Sequence, residues 1–194
     1  MGRAKVIDEV KALDKAMRLF WRQGFSNTSL KQLLDEMDML NGSFYHTFKD
    51  KKTIFLRSLE HYNQEITYKR QKVLLSHHDF SAGIRALFNE IFKTIGSKHH
   101  PNGCLIVNSM VDEVMQVEEL RNFLYDDLDS FVEFMTARIQ HSIDLDYLSI
   151  TMPVKQLAFI LVTYIQGLFR LSNANIQLKQ LKTQTEYFLQ GIGV

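Results

Sequence analysis

The chain has 194 residues, of which 45% are hydrophobic, enough for one substantial core or two small ones and too apolar for a generally disordered polypeptide. Its 23 Lys and Arg almost balance 22 Asp and Glu, so the strong positive charge that by itself announces a nucleic-acid binder is missing, and any function must be read from local pattern. A single cysteine, Cys104, excludes a disulfide-stapled secreted fold and points to a reducing compartment, the cytoplasm.

The N-terminal run MGRAKVIDEV lacks the continuous apolar stretch of a secretory signal and reads as the beginning of a helix. Val6, Val10, Leu13, Met17 and Phe20 recur at steps of four and three, which places them on one face of a helix over about residues 5–23. Gly24 suits a left-handed position beyond the last turn, with Phe25 folding back onto it. Ser29 and Gln32 have capping-box spacing and open a short helix over 30–37. After a break at 38–41, Phe44 and Phe48 lie one turn apart on a third short helix. Helices this short are unstable alone and require a core shared with the first.

Ile54, Phe55, Leu59, Tyr62 and Ile66 mark a long fourth helix from Lys51 to about Leu75, before a loop over Ser76-His77-His78-Asp79. Further helices are predicted near 80–97, 103–115, 118–142, 153–172 and 176–190, with Pro101 in a polar connection and Pro153 at a first turn. The most apolar stretch, Leu157 to Phe169, is interrupted by Thr163 and Gln166 and falls short of the roughly 18 residues that a spanning helix needs, so no membrane association is expected. Without strand-like alternation or repeats, the fold class is all-α, with about nine helices.

Three helices in the first fifty residues, the last two joined by a tight turn, describe the tri-helical form of a helix-turn-helix. The run Phe20-(x)3-Gly24-Phe25, Thr28-Ser29-Leu30, then Gly42-Ser43-Phe44-Tyr45-His46-(x)-Phe48-(x)2-Lys51 resembles the DNA-binding domain of the TetR family of regulators. The resemblance covers about residues 5–55. It implies a DNA-binding domain over 1–50, a ligand-sensing and dimerisation domain over 51–194, and a third helix that enters the major groove. By position it implies that Asn41, Ser43 and His46 face base edges, that Gly42 allows close backbone approach, and that Tyr45 donates its hydroxyl to a phosphate. Lys51 contacts phosphate by charge, aided by the positive end of its helix, while Ser29 and Lys31 flank the groove. Phe44 and Phe48 are assigned to the core.

Two residues depart from the family pattern. Asp38 stands where glycine is usual at the inter-helix turn, and Leu40, which cannot cap by its side chain, stands where serine or threonine usually opens the recognition helix. The turn is therefore expected to be intact but differently built, with Asp38 either lowering DNA affinity or meeting a basic neighbour. Residues 1–60 hold eleven Lys and Arg against eight Asp and Glu, a net +3, whereas the remainder carries a net −2. That is the sign phosphate binding requires.

One short recognition helix contacts too few bases for specificity, so a homodimer on a palindromic operator of double-stranded DNA is expected. The apolar C-terminal helices, through Leu157, Leu161, Tyr164, Leu168, Leu181 and Phe188, are the expected dimer interface. The alternative is that these residues only complete the core of the protomer. Gly167 either permits close helix approach or is incidental.

The resemblance also implies a small-molecule effector bound among the fourth to eighth helices. Phe92, Phe131, Phe134 and Tyr164 are candidate lining residues, with Phe88 and Phe123 beside them; Asn108 and Gln166 are polar residues able to orient a ligand. Cys104, in Asn102-Gly103-Cys104-Leu105 near a helix N-terminus, is a further pocket candidate, read either as a reactive sensor thiol or as a buried structural one. His99, His100, His77 and His78 lack metal-ligand spacing and are expected in solvated loops, and Asp126, Asp127 and Asp129 on a solvated helix face. No catalytic constellation is present, so no enzyme activity and no cofactor is expected. The reading is a repressor released by its effector; the alternative is an all-helical enzyme or binding protein with a fortuitous motif.

Overall fold

The computed structural model describes residues 8–95, 97, 100–174 and 176–194, apart from the Asp112 side chain. Val6, the start of the first predicted helix and His99 lie outside them. Among the described residues there is no strand. The helices are α1 (Glu9–Gln23), α2 (Leu30–Met37), α3 (Asn41–Phe48), α4 (Lys51–Tyr62), a π turn (Asn63–Thr67), α5 (Tyr68–Leu75), α6 (Phe80–Ile95), α7 (Leu105–Ser109), α8 (Asp112–Met115), α9 (Glu118–Asp144), α10 (Val154–Leu171) and α11 (Leu178–Gly191).

Local chemistry explains the N-terminal boundaries. Asp8 caps α1 by accepting from the Lys11 amide at 3.2 Å, and Gly24 ends it at φ 80°, ψ 171°. That combination is not left-handed helical but a region open essentially to glycine alone. The predicted capping box forms: Ser29 Oγ accepts from the Gln32 amide at 3.2 Å, and the Ser29 amide donates to the Gln32 side chain at 2.8 Å. Asp38 ends α2 in the left-handed conformation (φ 55°, ψ 47°), which Asp tolerates better than most side chains, so it does the work of the usual glycine.

Three readings of the sequence need correction. Val10 is 67% exposed, because the buried face of α1 begins with Ala12 and Leu13 where the helix meets α4. The helix predicted over 103–115 is broken between α7 and α8 by a tight turn at Met110 (φ −77°, ψ 67°), closed by a Val111 amide to Ser109 carbonyl bond of 2.9 Å. The single helix predicted over 51–75 is a continuous rod interrupted by the π turn, in which the buried Asn63 donates to Asp127 on α9. The helical spacing of Ile54, Phe55, Leu59, Tyr62 and Ile66 runs into the π turn without registering it.

α10 has 18 residues and a mean hydropathy of 1.2, long and apolar enough by those measures to cross a bilayer; counting only from Leu157 to Phe169 understated it. Its apolarity has another use, since Leu157, Ala158, Leu161, Val162, Ile165, Leu168 and Phe169 are all buried within the protomer.

Around the first three helices, Met17, Phe20, Leu33, Phe44, Phe48, Ile54 and Phe55 form a fully buried group, which is how two eight-residue helices gain the support they lack alone. α1 packs on α2 and α4, α5 on α6, and α9 on α10. Trp21 ties the two halves: it is 3% exposed, meets Tyr62 edge to face at 4.9 Å, and donates Nε1–H to the Asn102 carbonyl at 3.2 Å.

Candidate nucleic-acid interface

α3 is held by Phe44 and Phe48, both fully buried, so its opposite face is turned outward. Asn41, Gly42, Tyr45 and His46 are exposed and Ser43 is half-buried, which brings the five predicted contact residues of this helix onto one accessible surface. Tyr45 is 50% exposed, its ring edge-on to Phe44 at 5.6 Å. Lys31 and Ser29 are exposed at the start of α2, and the Ser29 hydroxyl, an acceptor in the capping box, keeps its own proton available to a phosphate. Leu40 makes no side-chain cap and is 80% exposed at the mouth of α3.

The junction after α3 is strained. Lys49 has φ 64° and ψ −59°, with the Asp50 amide donating to the Phe48 carbonyl at 2.7 Å: a γ-turn of the rare positive-φ kind. It reverses the chain within one residue, places the Lys49 side chain in solvent, and delivers Asp50 as the cap of α4, accepting from the Thr53 amide at 2.7 Å. That bond holds the Asp50 carboxyl below its ordinary range. It also occupies one of the amides that would otherwise face a phosphate beside Lys51. The Lys51 ammonium lies 4.5 Å above the Phe25 ring, and its partial burial there lowers its pKa. Lys49 carries no motif in the sequence; only its position between helix and cap singles it out.

Polar contacts join this unit to the rest. Lys52 pairs with Glu119 at the start of α9 at 2.6 Å, and the Ser26 hydroxyl donates to Glu113 on α8 at 2.5 Å.

Among the expected sensor residues, the structure brings only some together. Cys104 and Phe131 line a cavity of about 70 Å³, together with Thr67, Arg70, Gln71, Asp127, Gln166 and apolar side chains from α6, α7, α9 and α10. Phe134 stacks on Phe131 at 6.3 Å without reaching the cavity. Phe92, 4% exposed, packs beside Phe88 at 6.4 Å. Asn108 faces a separate groove near Trp21 and Arg170 and accepts from Asn173 at 3.0 Å. Tyr164 stacks on Phe188 at 3.8 Å and bonds Thr185 at 3.0 Å, joining α10 to α11.

Cys104 stands at the N-cap position of α7 without a side-chain cap bond; that helix has five residues and the thiol is buried, which pushes its pKa up despite a hydrogen bond with Tyr62. The helix-terminus argument for a reactive thiolate is therefore overridden by desolvation. Asp127 is not on a solvated face: it accepts from Asn63, and burial pushes its carboxyl up. Among the described residues no three His, Cys, Asp or Glu are grouped to hold a metal.

The expected interface leucines are also placed differently. Leu157, Leu161, Leu168 and Leu181 are at most 3% exposed and belong to the protomer's own core. The apolar side chains left outside on the same two helices are Phe159, Leu171 and Tyr187.

A buried-phenylalanine helix-turn-helix set on an all-helical bundle defines the class of helical DNA-binding regulators. A family model of bacterial regulatory proteins, tetR family, matches residues 12–57, and one for the tetracyclin repressor-like C-terminal domain matches residues 82–190. The chain belongs to the TetR family. It is 32% identical over 109 residues to the HTH-type transcriptional repressor ComR of Escherichia coli (strain K12), covering 56% of this chain and 52% of that protein. It is 26% identical over 123 residues to the HTH-type transcriptional regulator YezE of Bacillus subtilis (strain 168), covering 63% of each. The chain thus matches between half and two thirds of these relatives' lengths. Among solved structures, a cysteine-substituted TetR family regulator CifR in complex with 26-bp double-strand operator DNA aligns with TM-score 0.90 and 25% identity, over 97% of this chain and 98% of that one.

Proposed function

We propose that this protein is a transcriptional repressor that binds a palindromic double-stranded DNA operator as a homodimer in the cytoplasm and leaves it when a small-molecule effector binds. The observation that carries the reading is the α3 surface: two fully buried phenylalanines anchor the helix while Asn41, Gly42, Ser43, Tyr45 and His46 project from it. Asn41, Ser43 and His46 read base edges, Gly42 admits the DNA backbone closely, and Tyr45, Ser29, Lys31 and Lys51 hold phosphates. The exposed Leu40 suits contact with a thymine methyl. The CifR structure with operator DNA supports the reading. Family membership weighs against the alternative of an enzyme with a fortuitous motif.

Dimerisation uses the outer face of α10, where Phe159, Thr163, Gly167 and Arg170 recur at helical spacing and are all exposed, with Tyr187 of α11 beside them. The DNA-binding unit is residues 1–50 and the sensing and dimerising unit 51–194. Coupling between them runs along the rod of α4, the π turn and α5. Lys51 stands at its first residue, and Thr67, Arg70 and Gln71 line the cavity near its other end. A shift of that rod changes the separation of the two recognition helices, which must match half-sites about 34–36 Å apart. Selection from random duplexes followed by gel shift tests the function: a recovered inverted repeat is expected, and recovery of no palindrome rejects it.

A further inference from the structure

The wall of the sensor cavity holds a buried donor nitrogen that the fold leaves without a protein acceptor. Arg70 Nη2 is buried and has no hydrogen-bond acceptor, while Nη1 donates only weakly to the Tyr62 hydroxyl at 3.4 Å. The guanidinium is set in place by the Phe169 ring, 5.2 Å from its centroid. A buried guanidinium with spare donors is expensive unless an anion meets it.

The carboxylate nearest at hand does not. Asp127 lines the same cavity from α9 but takes its hydrogen bond from Asn63, and no ion pair joins it to Arg70. The rest of the wall is apolar, with Leu87, Ile91, Ile106, Leu128, Phe131 and Ile165 opposite Arg70, and with Thr67, Gln71 and Gln166 as neutral polar neighbours. An apolar chamber with one unmatched cation selects for a ligand with a hydrophobic body and a single anionic head.

We propose that the effector is an amphipathic organic carboxylate, held by a two-pronged contact from Arg70 with its apolar or aromatic body against Ile91, Phe131 and Ile165. This rests on the effector-released repressor reading above. Arg70 sits three residues beyond the π turn on the rod that begins at Lys51, so an anion drawn to its guanidinium pulls directly on the element that carries the phosphate contact. Local departures from α-helical register are frequent at functional sites, and this one lies between the two ends that must communicate.

The test uses matched probes on the full-length protein: hexanoate, hexanol and hexylamine, and phenylacetate, phenylethanol and phenethylamine. Binding is measured by calorimetry, and operator release by fluorescence anisotropy on the selected duplex. A carboxylate should bind at least about tenfold more tightly than its alcohol and amine counterparts and should release the operator. Arg70→Gln should weaken carboxylate binding by roughly thirtyfold and leave the alcohol unchanged.

A structural arginine and a binding arginine also differ in the free protein. Arg70→Met should leave the apo melting temperature unchanged or raised, because it removes an unmatched buried charge; a lowered melting temperature with unaltered carboxylate binding overturns the proposal. Equal binding of alcohol or amine, no binding by either carboxylate, or carboxylate binding indifferent to Arg70→Gln also overturns it. Operator affinity of the unliganded protein is read in the same anisotropy assay. If the duplex is bound but carboxylates are not, only this inference fails; if no duplex is bound, the repressor reading itself fails.

Discussion

Replacing Gly167 by alanine separates two effects that act in opposite directions. Gly167 lies mid-helix in α10 and is exposed, and a Cβ built there meets nothing within 4 Å in the protomer. On an isolated protomer the added methyl is favourable by about 1 kcal/mol, the difference in helix propensity between glycine and alanine. That gain is common to free and paired subunits and so cancels from the dimer dissociation constant. What remains is steric. If α10 packs against its two-fold mate where Gly167 lets the backbones approach, each inserted methyl costs about 1–3 kcal/mol. Two-fold symmetry repeats the clash, giving about 2–6 kcal/mol and a dissociation constant raised by roughly thirtyfold or more. Sedimentation velocity across a dilution series reads this directly, with thermal melts at each concentration. We expect dissociation at concentrations where the parent stays paired. A dimer of unchanged affinity together with a raised melting temperature refutes the assignment of Gly167 to the subunit contact.

Tyr45→Phe and Lys51→Ala should each weaken operator binding about equally for cognate and mutated duplexes, and Lys51→Ala should also flatten the logarithmic salt dependence by about two, one charge per half-site; intact operator binding in the double variant contradicts these contacts. Lys49→Gly should remove the strained positive φ and stabilise the fold by up to ~1 kcal/mol in urea titration while lowering DNA affinity, and a loss of stability would show that the γ-turn is not under strain. The Cys104 thiol should react with Ellman's reagent on the order of a hundredfold more slowly in the native protein than in urea, since burial disfavours its thiolate; fast native modification would reinstate it as a reactive sensor.

Much of the helical outline is legible because amphipathic helices advertise themselves: Ser29 and Gln32 predict their cap, and Phe44 and Phe48 predict their own burial. The sequence is less informative where one pattern serves two structures. An apolar helix such as α10 carries large apolar side chains well beyond one face, Phe159 as well as Leu157 and Leu161, and periodicity does not say which of them meets the protomer's core and which is left outside. The cavity is hidden for the converse reason. Arg70, Thr67 and Gln71 lie in a polar stretch that reads as solvated surface, and only packing against α6, α9 and α10 turns them inward. Asp127 is hidden likewise, one carboxylate among three in the sequence. The breaks at Met110 and Asn63 are backbone events with no glycine or proline to mark them.

The π turn at Asn63–Thr67 has a mechanical consequence of its own. In an uninterrupted α-helix each residue advances the helix by about 100°, so two faces of one rod are locked in phase by the number of residues between them. A π turn holds an extra residue within the same span, which resets that phase: the side chains before it and those after it are aimed independently. Here Lys51, ahead of the turn, lies over the Phe25 ring while Arg70, beyond it, lines the cavity, as two cams keyed at different angles on a single shaft.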